Sequence, residues 1–266
     1  EISSYFKKMQ NTICAALEKT DGKAKFSTDK WERKEGGGGI TRVIQNGNIF
    51  EKGGVNFSAV SGKCPAFILK EFSTNNFHPE KFFATGLSIV MHPENPMVPI
   101  IHMNVRYFNL TLRLPLLRRG RVPTRTSAPL PMEERSWFGG GIDLTPHYIN
   151  KEDAHFFHKS LKKVCDKHDK IYYPEFKKLA DDYFFIKHRN ETRGIGGIFF
   201  DHLSPSGFSI EKEKTIDQIF DFVKSIAEVF LPAYLPLVKK NKKLPVGKKE
   251  KEWQMIRRGR YVEFNL

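Results

Sequence analysis

"HMNVRYF" (residues 102–108) carries the alternation that decides the fold. Because successive side chains of a β-strand point to opposite faces of a sheet, His102, Asn104 and Arg106 are expected on one face. The apolar Met103 and Val105 are then expected on the other face, where they can enter a core. The polar face either meets solvent or lines a ligand site, because a buried arginine needs an anionic partner.

The surrounding sequence predicts mainly antiparallel strands from about residue 24 to residue 145. Runs of β-branched residues meet at Asn46-Gly47, a strong hairpin signal. The apolar runs "FFATGLSIVMH" (82–92) and "PIIHMNVRYFNLTLRL" (99–114) flank the turn "HPENPMVP" (92–99). On neighbouring strands of this kind, Ser88 and His92 are expected to share the polar face with His102.

Helical periodicity appears before and after the strands. It predicts helices over 4–20, over 151–168 with Asn150 as the cap and Asp153 at the capping-box position, over 174–190, and over 214–240 with a bend near its two prolines. The segments "GIGGIFFDHL" (194–203) and "GRYVEFNL" (259–266) predict late strands, and the lysine-rich 239–251 predicts a solvated loop. No repeat or linker divides the chain. The fold class is therefore α+β, with a broad antiparallel sheet covered by helices in a single domain over 1–266.

The composition predicts a soluble intracellular protein. No apolar run approaches the ~18 residues of a membrane span, and the first thirty residues lack the apolar block of a signal peptide, so no integral membrane association is expected. Three widely spaced cysteines argue against a disulfide framework or a thiolate zinc site. The formal net charge of +14 fits a nucleic acid, an anionic membrane surface or a polyanionic small substrate.

Two glycine-bearing motifs are candidate parts of a site. In "WFGGGIDLTP" (137–146) the glycines let the backbone approach a ligand closely, and Asp143 follows as an acceptor for N–H donors or as an ordinary turn residue. In "KHRNETRGIGG" (187–197) one guanidinium projects over an open backbone surface, and Arg189 is an ordinary partner of a helix C-terminus. The glycine spacing in this motif and in "EGGGGIT" (35–41) matches neither a dinucleotide nor a P-loop fingerprint.

Two other functions stay open on these residues. Histidines 92, 102, 155, 158 and 188 suggest metal-dependent hydrolysis, although no HExxH pattern is present and a catalytic metal is not favoured. The charge and "RRGRYVEF" (257–264) suggest an RNA-binding surface.

Five blocks in order along nearly the whole chain resemble the oxygen-dependent coproporphyrinogen III oxidase family. They are "GGGGITRVIQNGNIFEKGGVN" (36–56), "HPENPMVPIIHMNVRYF" (92–108), "WFGGGIDLTPHY" (137–148), "YYPEFKKLADDYFFIKHRNETRGIGGIFFD" (172–201) and "RRGRYVEFNL" (257–266). The resemblance implies a homodimeric α+β protein with a large flat antiparallel sheet between helices. It also implies that two propionates of coproporphyrinogen III become vinyl groups, with O2 as oxidant and with release of CO2 and H2O2.

The resemblance further implies roles for single residues. Asp143 would accept pyrrole N–H bonds, and His102 would be the proton donor. Arg106 and Arg193 would hold substrate carboxylates, and Ser88 and Asn104 would contact the substrate.

No flavin, haem or metal would be required, although in some bacterial members His92, His102, His158 and His188 match proposed ligands of a divalent cation. No nucleic acid partner is implied. The compartment is expected to be the cytoplasm, with the mitochondrial intermembrane space as the alternative. The family continues beyond "YVEFNL", so the chain is expected to lack a C-terminal segment that completes the pocket and the dimer contact.

Overall fold

A large antiparallel sheet organises the fold. The structure is a computed structural model that describes residues 1–66, 69, 78–113, 132–205 and 214–264. The described strands are β1 (Ser27–Glu32), β2 (Gly37–Gln45), β3 (Phe50–Lys63), β4 (His78–Pro93), β5 (Ile100–Arg113), β6 (Met132–Thr145), β7 (Phe185–Ile186), β8 (Glu191–Thr192) and β9 (Gly197–Leu203). Seven of them pair in the order β1-β2-β3-β4-β5-β6-β9, and β7 pairs with β8. The predicted α+β class is confirmed.

The predicted hairpin and alternation are both found in this sheet. Asn46 adopts a left-handed φ of 55° at the start of the four-residue loop that joins β2 to β3. On β5, Met103 and Val105 are fully buried, whereas His102 and Asn104 are partly exposed and Arg106 is exposed. The strand therefore has the apolar and polar faces that its sequence predicts.

Five α-helices lie in the described part of the chain. They are α1 (Ile2–Asp21), α2 (Lys151–His168), α3 (Tyr172–Tyr183), α4 (Ile216–Asn241) and α5 (Lys248–Glu263). The side chain of Asn150 caps α2 by accepting a hydrogen bond from the Asp153 N–H, as predicted. None of these described helices is long and apolar enough to cross a membrane.

The predicted helix over 174–190 is wrong at its C-terminal end. α3 stops at Tyr183, and a short hairpin of β7 and β8 follows, joined by a 3₁₀ turn and by Asn190 with a φ of 51°. The Arg193 N–H donates to the carbonyl of Phe184 at 3.0 Å. This reversal brings the chain back toward β6. The helical periodicity of 174–190 does not predict it, because the reversal depends on contacts with residues far away in the sequence.

The predicted strand over 259–266 and the predicted loop over 239–251 are also wrong, because residues 248–263 form α5. The Glu250 carboxylate accepts a hydrogen bond from the Gly247 N–H at the start of the helix. Trp253 donates to the carbonyl of His147, and Gln254 to that of Pro93. These tertiary contacts outweigh the short alternation in "GRYVEF". Only 242–247 connect α4 to α5, and 265–266 lie outside the described residues.

The main core lies between one face of the sheet and helices α1 to α4. Phe138 of β6 stacks on Phe220 of α4 at a centroid distance of 5.7 Å, and Phe6 of α1 meets Phe220 edge to face. The buried Gln10 amide of α1 donates to the carbonyls of Ile40 and Val55, which ties the helix to β2 and β3. Helix α5 lies against the opposite, polar face. The sheet therefore has helices on both sides.

Candidate functional site

The candidate site lies on the polar face where β5 and β6 pair. The register places His102 opposite Asp143, Asn104 opposite Gly141 and Arg106 opposite Gly139. Residues directly opposite each other in an antiparallel pair project to the same face. The imidazole and the carboxylate that the sequence singled out separately are therefore neighbours.

Asp143 is the buried centre of the site. Its side chain is 3% exposed, and Oδ1 lies 3.0 Å from Nδ1 of His102. Its Oδ2 accepts a hydrogen bond from Nη2 of Arg193 at 2.6 Å. A carboxylate only accepts hydrogen bonds, so the proton of His102 lies on Nδ1 and Nε2 is left for other partners. Asp143 thus fixes both the orientation and the tautomer of His102.

Arg193 does not project over an open surface, because its side chain is only 4% exposed. The guanidinium carbon lies 4.0 Å from the ring centroid of Phe184, 4.8 Å from that of Tyr261 and 4.8 Å from that of Phe264. Aromatic faces attract a guanidinium through their quadrupole and shield it from water. The ion pair of Arg193 with Asp143 is therefore enclosed by the end of α3 on one side and by α5 on the other.

The segment that carries Arg193 is held in place by backbone and side-chain hydrogen bonds. The Ile195 N–H donates to the carbonyl of Leu144, and Gly196 adopts a φ of 73° that favours glycine. Burial lowers the pKa of His158, so the neutral ring donates from Nε2 to the Ile195 carbonyl at 2.9 Å. Its Nδ1 accepts from the Tyr173 hydroxyl at 3.1 Å. Helix α2 thus supports the turn that positions Arg193.

Arg106 occupies the more exposed end of the site. Its Nη2 donates to Oδ2 of Asp201 on β9 at 2.7 Å, and its side chain is 48% exposed. Gly139 is needed beneath this pair, because a Cβ there would lie 2.6 Å from both Nε of Arg106 and Oδ1 of Asp201. The glycine motif predicts that the backbone approaches a ligand closely. At Gly139 the backbone instead closely approaches the side chains of Arg106 and Asp201.

Two adjoining cavities open on this face. The smaller, of about 250 Å³, is lined by His102, Asn104, Arg106, Gly140, Gly141, Tyr183, Phe184, Arg193, Phe199, Tyr261 and Phe264. The larger, of about 610 Å³, shares Asn104 and Arg106 with it and also includes Ser88. The structure therefore brings the six predicted site residues to one region of the sheet, with Asp143 directly opposite His102 on the neighbouring strand. The six are Ser88, His102, Asn104, Arg106, Asp143 and Arg193.

The other four histidines that the sequence suggested as metal ligands do not cluster with His102. His92 packs edge to face on Tyr261, His158 supports the Arg193 turn, His188 hydrogen bonds with Glu263, and His155 is exposed on α2. In the part of the chain that the structure describes, no group of three His, Cys, Asp or Glu side chains is arranged to hold a metal.

Sequence reasoning missed Asp201 and the aromatic enclosure of Arg193. The alternation of "GGIFFDHL" places Phe199 of β9 on the polar face, where it stacks on Tyr183 at a centroid distance of 4.6 Å. A search for the anionic partner of Arg106 would have singled out Asp201 in the same segment. Tyr261 and Phe264 carry no such signal, because the alternation around them predicts a strand and the neighbouring arginines suggest an RNA-binding surface. Both aromatic side chains instead face Arg193.

Comparisons with known proteins agree with the blocks along the chain. The model of a family described as coproporphyrinogen III oxidase matches residues 1–266. The oxygen-dependent coproporphyrinogen-III oxidase of Drosophila melanogaster is 47% identical over 97% of this chain and 61% of its own length. The mitochondrial human protein of that name is 47% identical, over 97% of this chain and 52% of its own length. That of Coxiella burnetii (strain RSA 493 / Nine Mile phase I) is 43% identical, over 100% of this chain and 77% of its own length. The chain thus spans roughly half to three quarters of these relatives.

Proposed function

The chain belongs to the coproporphyrinogen III oxidase family, and on this premise we propose that it converts coproporphyrinogen III to protoporphyrinogen IX. In each of two steps a propionate side chain and one O2 give a vinyl group, one CO2 and one H2O2. The propionate loses a hydrogen and its carboxyl group, and the two electrons released reduce the oxygen.

One observation carries this proposal. The His102–Asp143–Arg193 chain lies under a cavity whose wall also contains Arg106 and Asn104. Asn104 Oδ1 is buried and has no hydrogen-bond partner among the described residues, as expected of a polar group that a ligand satisfies. The site thus offers an oriented imidazole, a cation and a polar amide to one bound molecule.

The substrate suits both the charge and the size of the site. Four propionates carry about four negative charges at neutral pH, since a carboxyl pKa is ordinarily near 4. Each charge-assisted hydrogen bond contributes about 1.5 to 3 kcal/mol, and the net charge of +14 favours the approach of such an anion. The adjoining cavities of about 250 and 610 Å³ fall near the usual range of about 300 to 1,000 Å³ for ligand sites.

His102 is the proton-transfer group in this proposal. Its Nδ1–H is held by Asp143, so Nε2 exchanges protons with the ligand, and the carboxylate stabilises the imidazolium formed in between. Because both oxygens of Asp143 are engaged, the geometry favours a carboxylate that acts through His102 over one that accepts pyrrole N–H bonds directly. Arg106 binds a substrate carboxylate at the exposed end, and Ser88 and Asn104 contact the macrocycle.

We also propose that the reaction requires no flavin, haem or metal, because the reduced tetrapyrrole itself supplies the electrons. Turnover that survives dialysis against a chelator supports this proposal, and turnover restored only by an added divalent cation contradicts it.

A homodimer in the cytoplasm is proposed for the assembled enzyme, with the mitochondrial intermembrane space as the alternative. Light scattering coupled to size-exclusion chromatography tests the dimer, and cell fractionation tests the compartment. A monomer at micromolar concentration argues against the dimer.

The direct test is anaerobic addition of coproporphyrinogen III, followed by air and by fluorescence of protoporphyrin after oxidation of the product. We expect conversion by the unaltered chain and none by Asp143→Ala. Since Asp143→Ala leaves Arg193 buried without its carboxylate, Asp143→Asn is measured alongside, with circular dichroism to show that each variant is folded. Asp29→Ala, at an exposed position of β1 that lines neither cavity, is the control. Substantial turnover by a folded Asp143 variant contradicts the proposal.

A further inference from the structure

We propose that Arg33 and Trp31 form a second carboxylate subsite, which takes a peripheral propionate remote from His102; this rests on the proposed function. The subsite lies at the far end of the larger cavity, which runs from Arg106 on β5 to the edge strand β1.

A single row of cross-strand neighbours connects the two ends of this cavity. Trp31 pairs with Gly39, Gly39 with Ser58, Ser58 with Gly86, and Gly86 with Arg106. From β1 to β5 the row crosses four strand spacings, about 19 Å. The three positions between Trp31 and Arg106 carry small side chains, so the row forms an open trough with a large side chain at each end.

Trp31 closes one end of the trough as a flat aromatic surface. A Cβ at Gly39 would lie 2.4 Å from Cζ2 of the indole, so the ring lies directly over the glycine. The indole Nε1 donates to the Thr41 hydroxyl at 3.3 Å, which holds the ring in that position. An indole fixed in this way offers a stacking surface for a pyrrole ring.

Arg33 follows on the same side of the chain as Trp31 and supplies a cation there. Its N–H donates to the carbonyl of Gly37 at 2.8 Å, and its carbonyl accepts from the Gly36 N–H, so the backbone sits in a closed turn. Its Nε lies 3.6 Å from the carboxylate of Glu35, whose side chain is 65% exposed. Exposed pairs of this kind contribute little, so a ligand carboxylate can replace Glu35.

The charge of the substrate explains why this cation is needed. Arg193 is buried against Asp143, and Arg106 shares its charge between Asp201 and the substrate carboxylate proposed above, so these two guanidiniums supply little net positive charge. A ligand with about four negative charges needs further positive charge. Among the described residues that line the larger cavity, Arg33 is the arginine other than Arg106, and it lies at the opposite end of the trough.

The test uses coproporphyrin III, the stable oxidised form of the substrate, and its quenching of tryptophan fluorescence to measure Kd. We expect Arg33→Ala to weaken binding about tenfold or more and Arg33→Lys to retain part of the affinity. Added salt should narrow the difference between Arg33→Ala and the unaltered chain. Lys30→Ala is the matched control, because Lys30 is a cation on the adjoining strand β1 that does not line the larger cavity. Lys30 and Arg33 both line a separate cavity at this edge of the sheet.

Separate outcomes overturn the subsite and the proposed function. If Arg106→Ala weakens binding but Arg33→Ala does not, the subsite is wrong and the proposed function stands. Equal losses in Lys30→Ala and Arg33→Ala also overturn the subsite, since any cation at this edge would then suffice. If the unaltered chain does not bind coproporphyrin III, both proposals fall. Thermal melts confirm that each variant is folded, and Arg33→Gln serves as a second variant where Arg33→Ala is unstable.

Discussion

The imidazole of His102 has one nitrogen on a buried carboxylate and the other free for a cavity. The carboxylate is held in turn by a guanidinium that aromatic rings enclose. The orientation of His102 therefore depends on Asp143, and that of Asp143 depends on Arg193. If the proposed function holds, substitution of His102 should affect chemistry more than binding, because Arg106 and Asn104 would still line the cavity that takes the ligand.

We expect His102→Gln to lower turnover of coproporphyrinogen III by about 100- to 10,000-fold, the usual contribution of a general acid or base. The Kd for coproporphyrin III should change much less. His168→Gln is the control, since His168 hydrogen bonds with Ser225 on α4, away from the cavities. Equal losses of turnover in the two variants would show that His102 has no special part in proton transfer.

Helix α5 joins the site to the rest of the molecule through ion pairs. Arg260 and Arg257 both approach the carboxylate of Glu191 on β8, at 3.0 and 3.5 Å. Arg258 pairs with Glu51 at 2.8 Å at the other side of the helix. Helix α5 also carries Tyr261, which covers Arg193. The position of this helix therefore bears on the enclosure of the buried ion pair.

Glu191→Gln should loosen the C-terminal half of α5 without unfolding the protein. The expected loss of stability is below about 1 kcal/mol, because the pairs are partly exposed. Amide hydrogen exchange over 257–264 should become several-fold faster, measured by mass spectrometry. Glu252→Gln, which removes the exposed pair with Lys248 on the same helix, should leave exchange over 257–264 unchanged. Similar acceleration in both variants would argue against a specific role of Glu191.

The Asp21 carboxylate at the end of α1 accepts hydrogen bonds from backbone N–H groups of the β2–β3 turn, and so connects the helix to the sheet. Burial alone would raise its pKa, but backbone N–H groups of Ala24, Phe50, Ile49 and Asn48 donate to the carboxylate and lower the pKa overall. A carboxyl whose pKa is lowered on folding stabilises the fold above its unfolded pKa of about 3.9. That contribution is lost as the pH falls below this value toward the folded pKa.

We expect Asp21→Asn to reduce the free energy of unfolding at pH 7 by about 3 kcal/mol, because a charged acceptor of several hydrogen bonds is lost. The difference from the unaltered chain should shrink as the pH falls below about 4, because the carboxyl is then protonated in the unfolded chain before it is protonated in the folded chain. Denaturant titrations at pH 7 and pH 3 measure both values, with Asp29→Asn on β1 as the exposed control. A difference as large at pH 3 as at pH 7 would mean that charge is not the cause.

The buried His147 and the partly buried His92 make the stability of the fold depend on pH nearer neutrality. Burial, with the positive charges of Arg258 and Lys52, lowers the pKa of His92 to about 4. Burial and Arg258 also lower the pKa of His147 to about 4. The unfolded chain binds protons at these positions from about pH 6.5 downward, whereas the folded chain does not. Stability is therefore lost as the pH falls from about 6.5 to 4.

Each of these histidines should cost up to about 3 kcal/mol of stability by pH 4, at about 1.4 kcal/mol per pKa unit. His92→Gln and His147→Gln should each flatten the fall in the free energy of unfolding between pH 7 and pH 5. Urea titrations over this range measure the slope, and His155→Gln on the exposed face of α2 should leave it unchanged. If His92→Gln and His147→Gln both leave the slope unaltered, the pKa shifts of these two histidines are not the cause of the pH dependence.

The residue patterns predicted much of the fold and which polar side chains share one face of the sheet. Strand alternation and the Asn-Gly hairpin are local properties, as are the cap of α2 and the periodicity of α1 and α4, and these elements form where predicted. The glycines of "WFGGGIDLTP" likewise indicated a close approach of backbone and side chains, which Gly139 makes to Arg106 and Asp201.

The amino-acid sequence by itself determined which faces of the strands are polar and which residues can do chemistry, because both follow from local order along the chain. Only the tertiary structure decided that Asp143 faces His102, that Arg193 is buried beside it and that residues 248–263 form a helix above them. These outcomes depend on strand register and on contacts between residues far apart in the chain. The secondary-structure propensity of a short segment carries no information about such contacts. Where propensity and tertiary contacts favour different structures, the tertiary contacts contribute the larger free energy and decide the outcome.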